Sequence, residues 1–133
     1  MTRRAIEPAG LADAAQHHFT PAIVANGTLY VSGQVGTDDE GAYVGDDVRS
    51  QTRRAFENVE VLLRSVDRGL GDVVKVTSYV VDIADNYEAF HSVYREVFPE
   101  RPFPCHTALG VDSLASETPL VEVEVEAVVD GNP

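Results

Sequence analysis

The residues best equipped for chemistry lie between Arg101 and Val129, in the stretch RPFPCHTALGVDSLASETPLVEVEVEAVV. From Val121 to Val129, apolar residues alternate with Glu122, Glu124 and Glu126. A strand repeats every two residues, so the valines share one face and the three carboxylates the other. Like charges stacked on one face repel, and that face must meet water, cations or hydrogen-bond donors. The plain reading is the solvated outer side of a sheet. Upstream, Phe103-Pro104-Cys105-His106-Thr107 runs into a second, apolar strand. His106 brings an imidazole that titrates near neutrality. Its neighbour Cys105 would point to the opposite face of that strand, so a Cys–His nucleophile pair is not expected, and the usual fate of such a Cys is the core. His17 and His18 are also adjacent. They diverge for the same reason, which argues against a metal pair.

The elements that must hold these groups can be read in order. Residues 3 to 8 suit a short edge strand stopped by Pro8, and Leu11 to Phe19 reads as an irregular loop. Ala22–Ala25 and Thr28–Ser32 flank Asn26-Gly27, the dipeptide of a two-residue type I′ hairpin. Gly33 after Ser32 permits a bend or a close backbone approach. Residues 36 to 47 form an acidic, turn-rich surface loop. Asp46 or Asp47 then caps a helix whose apolar face is Val48, Ala55, Phe56, Val59, Leu62, Leu63 and Val66, with Gly69 as its stop. Val73 to Val81 is a β-branched strand. Asp85 caps a second helix with Tyr87, Phe90, Val93, Tyr94 and Val97 on its apolar face, ending before Pro99. Two C-terminal strands follow. The order ββ(β)–α–β–α–β–β predicts an α+β fold, a single mixed β-sheet of about six strands with two helices packed on one face. Residues 1–133 are expected to form a single domain.

Composition narrows the function. Acidic residues outnumber basic ones 22 to 10, a net charge of −12, and Lys75 is the only lysine. A phosphate backbone is held chiefly by Lys and Arg, so nucleic acid is not the expected partner. No apolar run approaches the ~20 residues of a membrane span. The start MTRRAIEPAG lacks the apolar segment of a secretory signal, and one cysteine forms no internal disulfide. A cytoplasmic protein without metal or organic cofactor is expected. The acidity fits either a GC-rich genome or a salt-adapted host.

The run FPCHTALGVDSL…LVEVEVEAVV resembles the C-terminal motif of the RidA/YjgF family of enamine and imine deaminases, F/Y-P-A-R-S/T, an apolar strand, then V-E-I-E-A. NGTLYVSGQVG at 26–36, QTRRAFENVEVLL and GDVVKVTSYVVDI agree with it in order and spacing. The resemblance implies homotrimers with active clefts between subunits. It implies that Glu124, the first Glu of E-V-E-A, orients or activates the water attacking the C=N carbon. Ser32-Gly33 matches the family's S-G, which helps to place substrate or water. The cleft-closing tyrosine falls on or near Phe19, without its hydroxyl. Thr107 matches the S/T of the motif, and Phe90 and His91 join it as candidate substrate contacts from the second helix. His106 stands where the family has the arginine that grips a substrate carboxylate.

Imidazole does not reproduce that arginine. It is mostly neutral at pH 7 unless a carboxylate such as Glu124 raises it, and it offers one donor per nitrogen rather than a parallel pair. Losing a charge-assisted pair costs on the order of 1.5–3 kcal/mol. Arg101, five residues earlier, is a second candidate for that role. The first expectation is thus a deaminase of an enamine, imine or related amino-substituted metabolite, its substrate unlike 2-aminoacrylate, with Glu124 and His106 as an acid/base pair. The second is a non-catalytic trimer binding a small metabolite in the same cleft. The third, an RNA-cleaving protein, sits poorly with the acid excess.

Overall fold

The computed structural model describes residues 2–130; the ends of the expected 1–133 domain lie outside them. Strands β1 (Arg4–Ile6), β2 (Ala22–Ala25) and β3 (Thr28–Gln34) form an antiparallel meander. Helix α1 (Val48–Arg64) leads to β4 (Val73–Val81), and helix α2 (Ile83–Val97) to β5 (Cys105–Val111) and β6 (Val121–Val128). The sheet order is β1-β2-β3-β6-β4-β5, with β4 and β5 parallel and the other pairs antiparallel. This is the mixed six-stranded sheet with two helices that the pattern implied.

One face is dry. Leu29 and Val31 of β3, Val76 and Val80 of β4, and Val121, Val123 and Val125 of β6 are buried together with Phe56, Val59, Leu62 and Leu63 of α1 and Phe90 and Tyr94 of α2. Each fully buried Leu, Val or Phe contributes roughly 1.5–3 kcal/mol of transfer free energy, so this layer holds the sheet and helices together. A buried glutamine ties it to the loops: Gln51 Nε2 donates to Gly45 O (3.0 Å), and its Oε1 accepts from Leu120 N–H (2.7 Å). Nothing in a helical apolar stripe reveals that role, because Gln51 and the buried Thr52 and Asn58 interrupt it.

Local signals were mostly sound. Asn26 (φ 51°) and Gly27 (φ 74°) adopt the paired positive φ of a type I′ turn. Asp47 caps α1, accepting from Ser50 N–H at 3.0 Å. Two stops differ from expectation. Helix α1 ends at Arg64 and is closed by Asp67 in the left-handed region (φ 59°), with Arg68 N–H reaching back to Leu63 O (2.9 Å). That is a Schellman-type closure, so Gly69 was not needed and instead opens a 3₁₀ turn at Leu70–Asp72. Helix α2 starts at Ile83 behind Asp82, and Asp85 lies inside its first turn rather than at the cap. The 11–19 loop contains a short 3₁₀ turn, Ala15–His17.

Candidate functional site

The three glutamates of β6 lie on the side of the sheet away from the helices. Glu122 and Glu124 are half-buried and Glu126 is exposed, while Val121, Val123, Val125 and Ala127 are buried. The register assembles a row across that open face. Glu124 pairs with Thr77 of β4, and Thr77 pairs with Thr107 of β5. On the other side, β3 pairs Val31 with Val125 and Gln34 with Val123, so Ser32 and Gly33 together oppose Glu124. This is a β-bulge, an irregularity that often re-aims groups beside a functional site. Four expected residues, Ser32, Gly33, Glu124 and Thr107, therefore share one row.

Each side of Glu124 has a distinct job. The Tyr79 hydroxyl donates to Glu124 Oε1, fixing one carboxylate oxygen. That bond, with burial and the charges of Glu124 and Glu122, holds the Tyr79 phenol above its usual range. Tyr79 was missed at the sequence level, though β4 carries a signal for it: Val76, Ser78 and Val80 are buried, so Lys75, Thr77 and Tyr79 point outward with the glutamates. Ser32 anchors the neighbouring loop, its Oγ donating to Thr20 O (2.6 Å) and its N–H to Pro21 O (2.8 Å). Phe19, 45% exposed, is thereby set at a cleft of about 490 Å³ that Gly33, His17, Gln34 and Tyr43 also line. Asn58 Nδ2 donates to Val35 O and Thr37 O, both at 3.0 Å, and braces the cleft's far wall.

Glu122 sits tightly against the bulge. A Cβ placed on Gly33 would lie 2.3 Å from Glu122 Oε2 and 2.7 Å from its Cδ, so any side chain here would push the Glu122 carboxylate aside. Burial pushes its pKa above the usual Glu range, and the charge of Glu124 pushes the same way.

Within one chain His106 and Glu124 do not meet. His106 is in register with the buried Val76, so it faces the helices, whereas Glu124 faces away from them. Its ring stacks on Tyr94 (centroids 4.1 Å, 10° between planes), lies 6.0 Å from the Phe90 ring, and its Nε2 is 3.0 Å from Ser78 Oγ. His91 stacks between Tyr87 (5.3 Å) and Tyr94 (6.2 Å) in the same aromatic column. Burial, then the nearby charge of His91, keeps the His106 pKa below 6.5 rather than raising it. Phe90 is fully buried core. Within one chain, His106, Phe90 and His91 thus form a second cluster on the helix side of the sheet. Arg101 lies over the Phe103 ring at 5.4 Å. Cys105, expected in the core, is exposed on the glutamate face, in register with Lys75. Among the described residues no group of three or more metal-ligating side chains gathers, and no helix is long and apolar enough to cross a membrane.

The family described as Endoribonuclease L-PSP matches residues 10–129. The RutC family protein YjgH of Escherichia coli is 36% identical over 114 residues, covering 85% of this chain and 86% of that one. The solved structure titled Protein YJGH has a TM-score of 0.88 at 34% identity, covering 98% of both chains. Yeast Mmf1 has a TM-score of 0.88 at 29% identity, covering 96% of this chain and 98% of its own.

Proposed function

Because the chain belongs to the RidA/YjgF family, we propose that it is a hydrolytic deaminase working as a homotrimer, releasing ammonia from an enamine, imine or related amino-substituted metabolite. The observation that supports this best is Glu124: a half-buried carboxylate on an open sheet face, opposite the Ser32-Gly33 bulge, with one oxygen held by Tyr79. A carboxylate so oriented can take a proton from a water attacking a C=N carbon, an effect typically worth 10²–10⁴-fold. Thr77 and Thr107 extend a polar floor beside it. The neutral, packed His106 cannot supply the family arginine's fixed charge. The substrate therefore differs from 2-aminoacrylate. The small molecule is bound in a cleft between neighbouring subunits, without cofactor.

A second reading has one observation in its favour. His106 is spent on packing against Tyr94 and Ser78, as expected of a non-catalytic paralogue that only binds a metabolite. RNA cleavage has the weakest support, since the open face sets three glutamates against Lys75 and would repel a phosphate backbone. The deciding test is Glu124→Gln, which keeps shape and hydrogen bonding but removes basicity. Ammonia release from imines generated in situ should fall about 10²-fold or more with the melting temperature unchanged, and Glu126→Gln should do much less. Wild-type rates in both variants would transfer the conclusion to the binding reading.

A further inference from the structure

We propose that Ser78 is a positioning residue that fixes the tautomer of His106. Position 106 thereby offers a neutral Nδ1–H donor, which selects an uncharged acceptor on the substrate, a carbonyl or amide oxygen, where the family's arginine takes a carboxylate. The choice of substrate rests on the deaminase reading above, in which position 106 meets the small molecule; the tautomer does not.

On its helix-facing side β4 is apolar except at Ser78, which is fully buried between Val76 and Val80. A hydroxyl in that position needs an acceptor for its proton. Among the described residues, the partner of Ser78 Oγ is His106 Nε2, 3.0 Å away. The two groups can pair in two ways. If Nε2 carries the ring hydrogen, Ser78 Oγ accepts it, and the hydroxyl proton is left unpaired in the core. If Nε2 is bare, the hydroxyl donates to its lone pair and no donor is stranded. Stranding a buried donor disfavours the first arrangement by roughly 5- to 150-fold. The neutral ring therefore carries its hydrogen on Nδ1, the reverse of the form that a free histidine side chain prefers in water.

The ring is held in two independent ways. The Ser78 bond sets its rotation within the plane, and stacking on Tyr94, 4.1 Å between centroids and 10° between planes, sets the plane itself. Among the described residues Nδ1 has no hydrogen-bond partner and is not sealed from solvent, and His106 is partly exposed. This N–H is a directed donor awaiting an acceptor. Burial and the nearby His91 hold the ring below its usual range, so above neutrality the donor is uncharged. Phe90, His91 and Tyr94 face it from α2 and Ser78 from β4, and none of them supplies a fixed positive charge. A carboxylate brought here would exchange its hydration for a single neutral N–H, whereas a carbonyl or amide oxygen gives up far less. Tyr87, 41% exposed, stacks on His91 and carries the aromatic column to the surface, a flat wall against which a planar group can lie. On acidification both ring nitrogens become donors, Ser78 must turn to accept, and position 106 gains the charge that a carboxylate needs.

Long-range proton–nitrogen NMR spectra of the full-length protein, labelled at histidine nitrogen, read the tautomer at about pH 8, where the ring is neutral. The His106 signals are identified by their loss in His106→Phe. Wild type should show a protonated Nδ1 and a bare Nε2. Ser78→Ala should move the ring towards the Nε2–H form, and Ser78→Thr, which keeps the hydroxyl, should hold the wild-type form. A wild-type ring protonated on Nε2, or a folded Ser78→Ala protein with the wild-type tautomer, overturns the role of Ser78. Benzamide and benzoate, titrated against the same signals, then test the acceptor. Benzamide should perturb Nδ1 and bind about ten-fold tighter than benzoate at that pH, and Ser78→Ala should weaken it about three- to ten-fold. Benzoate should gain affinity as pH falls to about 5.5. Equal affinity for the two probes at the higher pH, or no effect of benzamide on His106, overturns the uncharged acceptor. Absence of ammonia release from every imine tried would remove the deaminase reading and leave the tautomer and both probe affinities unchanged.

Discussion

Replacing His106 with Phe separates packing from catalysis at the position where the family carries its arginine. Phe keeps an aromatic ring against Tyr94, whose centroid is 4.1 Å away, but removes the nitrogen that partners Ser78 Oγ at 3.0 Å. Ser78 is fully buried, so its hydroxyl is left without that partner, at a cost of about 1–3 kcal/mol. In a chain of this length, a loss of about 2 kcal/mol lowers the melting temperature by roughly 6–10 °C. Ser78→Ala on the Phe background removes the orphaned hydroxyl and should recover most of the loss, giving a coupling of about 1–2 kcal/mol. The pH dependence has a definite sign. Burial holds the His106 pKa below its unfolded value of 6.5, so its stabilising contribution is complete above 6.5 and is lost as pH falls through the folded value. Wild type should therefore lose stability relative to His106→Phe on acidification. Urea unfolding at fixed protomer concentration measures all three quantities. A Phe variant within about 0.5 kcal/mol of wild type, strictly additive with Ser78→Ala, would refute the placement of His106 behind the sheet.

Three other outcomes are expected. Gln51→Leu strips the Leu120 N–H and Gly45 C=O of their side-chain partner and should cost about 2–4 kcal/mol in chemical denaturation. The folded-state pKa of Glu122 is raised, so the native state penalises its charged form only at higher pH; Glu122→Gln should gain melting temperature over wild type as pH rises from about 4 to 8, with no difference at the acid end. The open face exposes Tyr30 (48%), Leu109 (42%) and Val128 (44%) around the glutamates, and sedimentation at micromolar concentration should give a homotrimer, a stable monomer removing the basis for a shared cleft.

Strand β6 was legible because it alternates: Val121, Val123 and Val125 are buried and every glutamate lies on the other side. The hairpin was legible because Asn-Gly is a backbone requirement rather than a preference, and both residues have positive φ. Helix α1 was legible as a stripe, but its stop was not. Asp67 took the left-handed position that glycine usually fills, and aspartate is one of the few residues that tolerates it. Tyr79 was half-legible, since the β4 alternation fixes its face but only the register with β6 brings its hydroxyl to Glu124.

His106 shows why one part of the site could not be read. A strand's faces are assigned by the residues that alternate along it, and Cys-His-Thr-Ala-Leu-Gly-Val offers no such alternation. β5 is an edge strand with neither a buried row nor a charged one, so residues of both parities are partly exposed. Parity is settled only by pairing with β4, where His106 meets Val76 and Thr107 meets Thr77. A shift of one residue would have reversed both assignments. Ser78 is the compensating feature. A hydroxyl at a fully buried β4 position contradicts that strand's apolar pattern, and it is satisfied only because His106 lies on the same face. Two polar residues, each on the apolar side of its strand, thus form one partly buried pair. The family resemblance located position 106, but the buried hydroxyl of Ser78 was the local clue to which way its side chain points.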